Sequence, residues 1–285
     1  MAKSTQNLKD TNQKNKTPTK QVGALSRQKK YKDDKLIEEK EQKSSHKIIL
    51  FFLFLVLLGL MMGIIFSPTF NVTGVVVEDG ENVNSAEISN IVNVKLGENI
   101  LKQDYSKMKS DVMSLPYIES AVVKPLFPNK VLITYEERKP YMILKYLESF
   151  FVMDKQGYLL EITKENNRAD LPIVYGVEID SYTLGEKIGD TSRIKYQNIV
   201  TLLDVAESSH FPYEIYEINY ESIREVKLWV KGFDIDIIYG EINKNSISDR
   251  LNYLSQILEN LKNKKGKLNM SSENYLEKTI FTEIH

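Results

Sequence analysis

The stretch from Ile48 to Phe66 reads IILFFLFLVLLGLMMGIIF, and no side chain from Ile48 through Val77 carries a charge. Its 19 residues, each rising ~1.5 Å in a helix, come close to the ~20 needed to cross a ~30 Å hydrocarbon core. Backbone N–H and C=O groups in lipid must pair within their own segment, so the run is predicted to be one helix. It divides the chain into a short arm and a larger body on opposite sides of a membrane.

The flanks predict the orientation. Residues 1–47 hold 13 Lys/Arg against 6 Asp/Glu, a net of +7, and Lys40, Lys43 and Lys47 abut the apolar run. On the far side the first charges are Glu78, Asp79 and Glu81. Lys and Arg beside a span stay cytoplasmic, which puts the arm inside and residues 67–285 outside. That body carries 25 Lys/Arg against 33 Asp/Glu, a net of −8. A cleaved signal peptide is the rival reading. It fits poorly, because the run is long, starts at residue 48 and ends in Phe66-Ser67-Pro68 without an A-x-A-like site. The arm is rich in Lys, Gln, Asn, Ser and Thr, and is expected to be disordered and to rest loosely against an anionic inner leaflet. With no cysteine in the chain, the body folds on its core alone, as in a bacterial extracytoplasmic protein.

Past the span, Phe70 to Val77 is β-branched and ends at Asp79-Gly80, which predicts a strand and a turn. Ser85 is the expected cap of a short helix, Ala86 to Val92, and Asp104 that of a second helix ending at Pro116. Ile118 to Lys124 and Lys130 to Glu137 read as two strands. The predicted order is β-α-α-β-β. Further on, Tyr141 to Leu147, Phe150 to Met153 and Tyr158 to Ile162 read as strands, with a hairpin turn at Asp154 to Gly157. Asp190 or Thr191 is the expected cap of a helix reaching about Glu207. Glu214 to Tyr220, Glu225 to Lys231 and Phe233 to Tyr239 alternate as antiparallel strands do. Ser246 starts a last helix with Ile247, Leu251, Leu254, Leu258 and Leu261 on one stripe, and Gly266 is placed at its C′ position. The class is α+β: a single-span anchor, a β-α-α-β-β domain, and a larger antiparallel-sheet domain with two helices.

The motifs Leu115-Pro116-Tyr117-Ile118, Ala121-Val122-Val123, Phe127-Pro128-Asn129, Val131-x-Ile133 and Glu136-Glu137-Arg138-x-Pro140 resemble the second half of a POTRA domain. Phe151-Val152-x-Asp154-x-x-Gly157, Leu171-Pro172-Ile173-x-x-Gly176 and Gly266-x-Leu268-Asn269-Met270 follow in order. Together they resemble the DivIB/FtsQ division proteins, from about residue 47 to about residue 276. The expected organisation is a cytoplasmic arm (1–47), a transmembrane helix (48–66), a POTRA domain (67–140), a β-rich domain (141–275) and a C-terminal tail (276–285), either frayed or added as an edge strand.

No set of side chains in the sequence predicts catalysis. His46, His210 and His285 are too scattered for a zinc site, and no cysteine helps. Ser192-x-x-Lys195 matches an acyl-enzyme motif but sits at a helix start, where Ser serves as a cap; Ser26-x-x-Lys29 and Ser44-x-x-Lys47 lie in the arm. Asp234 and Asp236 alternate with Phe233, Ile235 and Ile237 as the wet face of a strand. Glu136 and Glu137 point to opposite faces. No metal, cofactor, small-molecule substrate or enzymatic activity is therefore expected, and the acidic body argues against nucleic acid. The resemblance implies a scaffold at the division septum. It would bind DivIC/FtsB-like and FtsL-like bitopic proteins outside the membrane and couple them to septal peptidoglycan synthesis, with penicillin-binding proteins as further partners. The expected mode is strand addition at a C-terminal sheet edge, with Leu268, Met270, Tyr275, Leu276, Ile280 and Phe281 as contacts. In this family Asp usually stands where Asn269 does. The alternative reading is a membrane-anchored wall-modifying enzyme or wall-binding subunit, which needs a pocket of convergent polar groups. A transporter POTRA is disfavoured, because one copy occurs and no barrel follows.

Overall fold

A computed structural model describes residues 19–284, apart from the side chains of 19–28, 33–45 and 190–192. The chain divides into two units, Met1–Ser67 and Pro68–His285. The described part of the first is one helix, α1 (Thr19–Ile65). The stretch from His46 to Ile65 is long and apolar enough to cross a membrane, and none of it is buried. An apolar surface all the way round suits lipid rather than one protein face. Pro68, three residues past the end, and its effect on Ser67 keep the helix from continuing.

The expected disordered arm is corrected over 19–47, where the backbone is helical. Lys, Gln, Glu and Leu dominate there and all favour helix. Pro18 immediately precedes the first turn, and no proline interrupts the segment. Residues 1–18 lie outside the described residues.

In the second unit, β1 (Gly74–Val77), α2 (Ser85–Ile91), α3 (Tyr105–Met113), β2 (Ile118–Leu126) and β3 (Lys130–Glu137) follow in the predicted order. They form a sheet ordered β1-β3-β2, with β1 parallel and β2 antiparallel to β3. Ile88, Met108 and Val112 of the helices close a core with Ile118, Val131 and Ile133 of the sheet. Asn84, not Ser85, caps α2: its Oδ1 accepts from Glu87 N at 2.8 Å. Ser85 N instead donates to Asp79 Oδ1, whose carboxyl this bond holds below the usual range. Asp104 caps α3 as expected, accepting from Lys107 N at 3.0 Å. The strand predicted from Phe70 begins only at Gly74. Before it, Val72 N donates to Glu98 O and Thr73 N to Asn129 O, so this stretch ties two loops together rather than joining the ladder.

The larger sheet has nine strands, built from β4 (Pro140–Tyr146), β5 (Ser149–Asp154), β6 (Leu159–Thr163), β7 (Ile173–Tyr175), β8 (Ile215–Asn219), β9 (Val226–Val230), β10 (Asp234–Gly240), β11 (Lys265–Asn269) and β12 (Ile280–Glu283). Their order is β12-β11-β10-β9-β8-β7-β4-β5-β6. The expectation of an antiparallel sheet needs correction, because β4–β7, β7–β8 and β10–β11 are parallel. For the last two of these pairs the reason is a helix. α4 (Asp190–Ser208) lies between β7 and β8, and α5 (Ile247–Asn260) between β10 and β11. Each is the crossover that a parallel neighbour requires. Both contribute to one core: Ile199 and Leu202 of α4 and Leu251, Leu254 and Leu258 of α5 join Leu144, Leu228 and Ile237 of the strands.

Gly189, rather than Asp190 or Thr191, occupies the N-cap of α4. Gly266 is not a helix C′ residue: α5 ends at Asn260 with Leu261 as its C-cap, Asn263 takes the left-handed conformation (φ 65°), and Gly266 lies inside β11. Tyr275 to Ile284 holds a short helix, α6 (Tyr275–Lys278), followed by β12 at the sheet edge.

Candidate functional site: the C-terminal sheet edge

β12 is the last strand at one end of the larger sheet, paired only with β11. Ile284 N donates to Lys265 O at 3.0 Å. In an antiparallel ladder hydrogen-bonded and non-bonded pairs alternate, so the amides of Phe281 and Glu283 point away from β11, toward open edge. Such a row of backbone donors and acceptors is a template for another strand.

Two features hold β12 there. A Cβ at Gly266 would collide with the Thr282 carbonyl oxygen and would lie 2.9 Å from the Phe281 ring, so glycine lets β12 approach closely. The second is Arg250 of α5, a cation only 6% exposed. Its Nη1 donates to Tyr239 O (2.8 Å) and Met270 O (3.3 Å), and its Nη2 to Ser272 O (2.9 Å). The guanidinium lies 4.6 Å from the Tyr275 ring centroid, a cation–π contact. Arg250 therefore ties the ends of β10 and β11 to the loop that leads into α6. Carbonyl oxygens and aromatic faces balance its charge. The sequence reading missed it, although Ile247, Arg250, Leu251 and Leu254 occupy i, i+3, i+4 and i+7 of one helix face, so a charge in the stripe was visible. Asn269 Oδ1 accepts from Ser271 N (3.0 Å) and Ser271 Oγ (2.9 Å), bonds that an Asp carboxylate accepts equally well.

The six expected contact residues separate by burial. Leu268 and Met270 are fully buried in the core, so they hold β11 and are corrected as direct contacts. Period-2 alternation turns them inward with Gly266. Tyr275 and Phe281 are half-buried against the same core, Tyr275 also against Tyr253 at 5.6 Å. Leu276 and Ile280 stand 64% and 62% exposed. These two, with the outward amides of Phe281 and Glu283, make up the accessible edge.

The residues considered for chemistry do not converge. Asp234 pairs with Lys265 at 2.9 Å, and Asp236 accepts from Trp229 Nε1 at 2.8 Å, both on an exposed sheet face. Burial first, and then the neighbouring Asp236, raises the Glu217 carboxyl on that face. Glu137 accepts from Asn82 N, Asn82 Nδ2 and Val83 N, a loop-fastening role. His210 sits in a left-handed turn after α4 (φ 55°). The side chain of Ser192, and all of His285, lie outside the described residues. Among the described residues no cluster of three His, Asp or Glu side chains is placed to hold a metal.

Residues 70–138 match the POTRA domain family, FtsQ-type. The chain is 29% identical over 194 residues to the cell division protein DivIB of Clostridium tetani, covering 67% of this chain and 71% of that one. It is 25% identical over 254 residues to DivIB of Clostridium botulinum (strain Hall), covering 86% and 97%. It is 23% identical over 214 residues to the cell division protein FtsQ of Syntrophotalea carbinolica, covering 75% and 74%. This chain thus carries an FtsQ-type POTRA domain over residues 70–138 and, across most of its length, resembles the DivIB/FtsQ cell-division proteins.

Proposed function

We propose that this chain is a non-enzymatic scaffold of the bacterial division machinery, anchored by α1 with its arm in the cytoplasm and its body outside. At the septum it holds the extracytoplasmic segments of DivIC/FtsB-like and FtsL-like bitopic proteins and couples them to septal peptidoglycan synthesis. The observation that carries this reading is the open edge of β12, with Leu276 and Ile280 exposed beside it. The names of the relatives and the basic flank of the apolar run support the setting. A partner strand laid along β12 takes its affinity from main-chain bonds and its specificity from the apolar side chains beside them.

Glu283→Pro tests the mode. Its amide points outward, so proline there removes an edge donor and leaves the β11 ladder intact. The lost ion pair with Lys264 is exposed on both sides and contributes little. The expected result is a weakened pull-down of the DivIC-like partner by Glu283→Pro and by Ile280→Asp, with unchanged thermal unfolding. Undiminished capture by both variants overturns strand addition at β12.

A further inference from the structure

The end of the POTRA domain where the chain arrives from α1 displays large apolar side chains on pinned backbone. Leu96 is 65% exposed, Leu101 52% and Phe127 57%. All three belong to loops tied to the same entry stretch, Phe70 to Thr73. Gly97 N donates to Val72 O, and Asn71 bridges Asn99. Thr73 N donates to Asn129 O, two residues past Phe127, whose ring packs edge-on against Phe70 at 6.2 Å. These loops are not loose. The Gln103 amide bonds both the N–H and the C=O of Lys95, and Tyr105 Oη donates to Ile100 O at 2.6 Å. Ile100 is fully buried while its neighbour Leu101 is turned outward. Lys102 is exposed in the same loops and Lys130 at the adjoining start of β3, and Lys95 is paired with Glu98 at 3.7 Å.

The tether indicates what covers this end. From Ile65, the end of α1, to Phe70 the chain spans five residues, at most about 17 Å when extended. Part of that span is the tight 3-10 turn Pro68–Phe70. Headgroup layers add several ångströms beyond the hydrocarbon on each side. An end held at that reach, bearing Leu, Leu and Phe beside lysines, matches an interfacial lipid surface: apolar side chains enter the headgroup–acyl boundary and ammonium groups meet anionic headgroups.

We propose that Leu96, Leu101 and Phe127, flanked by Lys102 and Lys130, form a bilayer-docking surface that seats the POTRA domain on the outer leaflet of an anionic membrane. The inference rests on α1 being a span, and the test separates the two. The chain has no cysteine, so single exposed sites can be labelled cleanly. The full chain, carrying an environment-sensitive fluorophore at Leu101→Cys, Phe127→Cys, Leu147→Cys or Leu55→Cys, is reconstituted in phosphatidylglycerol/phosphatidylcholine nanodiscs. Some of the lipids bear a nitroxide on the upper acyl chain. Quenching is expected at 55, which reports the span, and at 101 and 127, but not at 147, an exposed site on the larger sheet. Quenching at 101 and 127 is expected to fall several-fold in pure phosphatidylcholine, or when Lys102→Gln and Lys130→Gln are combined. Quenching at 55 with none at 101 and 127 overturns the docking surface, leaving the span intact and these leucines for a protein partner. No quenching at 55 overturns both.

Discussion

At the scale of single residues, Arg250 is the side chain on which the C-terminal end depends. Its guanidinium satisfies three backbone carbonyl oxygens that belong to different segments. Gly240, which precedes α5, holds φ at 91°, and a Cβ there would stand 2.7 Å from Ser271 Cα, so the site is closed around the arginine on that side as well. Replacing Arg250 by Met keeps apolar volume and removes the donors. Leaving buried carbonyls unpaired costs about 1–3 kcal/mol each where water cannot reach them. Arg250→Met is therefore expected to lower unfolding stability by about 3 kcal/mol in urea titration. Amide exchange at residues 280–284 should rise more than in β9. Equal exchange at both places would mean that the arginine stabilises the sheet generally and does not latch its edge.

At the scale of elements, the crossovers account for the main difference between expected and observed sheet. Period-2 alternation marked most strands, but it carries no information about which strands become neighbours. α4 and α5, each between two strands, were the available sign of parallel pairing. β7, three residues long, was too short for any periodicity to register and was visible only as part of a motif. β12 depends on β11 through Gly266. Gly266→Val puts a branched side chain where the Thr282 carbonyl and the Phe281 ring lie, and is expected to displace β12 while β8 to β10 keep their protection from amide exchange. Partner capture should fall with it. Retained protection at Thr282 in that variant would show that β12 can shift to accommodate a side chain.

At the scale of the whole second unit, only Arg138 and Lys139 separate β3 of the POTRA sheet from β4 of the larger one, and side chains close the joint. Arg138 Nη1 donates to Asp154 Oδ2 at 2.9 Å, with the carboxylate 1% exposed and the guanidinium stacked 3.5 Å from the Tyr158 ring centroid. Arg168 Nη2 reaches Asn82 Oδ1 and Tyr117 Oη, both at 3.1 Å, and Tyr117 Oη donates to Glu161 at 3.0 Å. Burial, reinforced by Glu161, pushes that phenol up to about 12, so it stays a donor at neutral pH. Arg168→Ala removes the bonds that cross the joint from the loop before β7 without leaving a buried charge behind. It is expected to broaden the distance distribution between spin labels at Val122→Cys and Ile223→Cys, measured by double electron–electron resonance. An unchanged width assigns the rigidity to Arg138, the Tyr117–Glu161 bond and the short connection.

The sequence by itself determined the elements that local chemistry specifies. The apolar run required a helix, because a lone segment crossing lipid can pair its backbone groups only within itself. Alternation and caps located β3, α3 and α5, and the order β-α-α-β-β followed from them. The tertiary structure alone decided the parallel neighbours in the larger sheet. It also decided the inward turn of Leu268 and Met270 and the role of Arg250. Those outcomes depend on contacts between residues far apart in the chain, where packing and the satisfaction of buried polar groups override local preference.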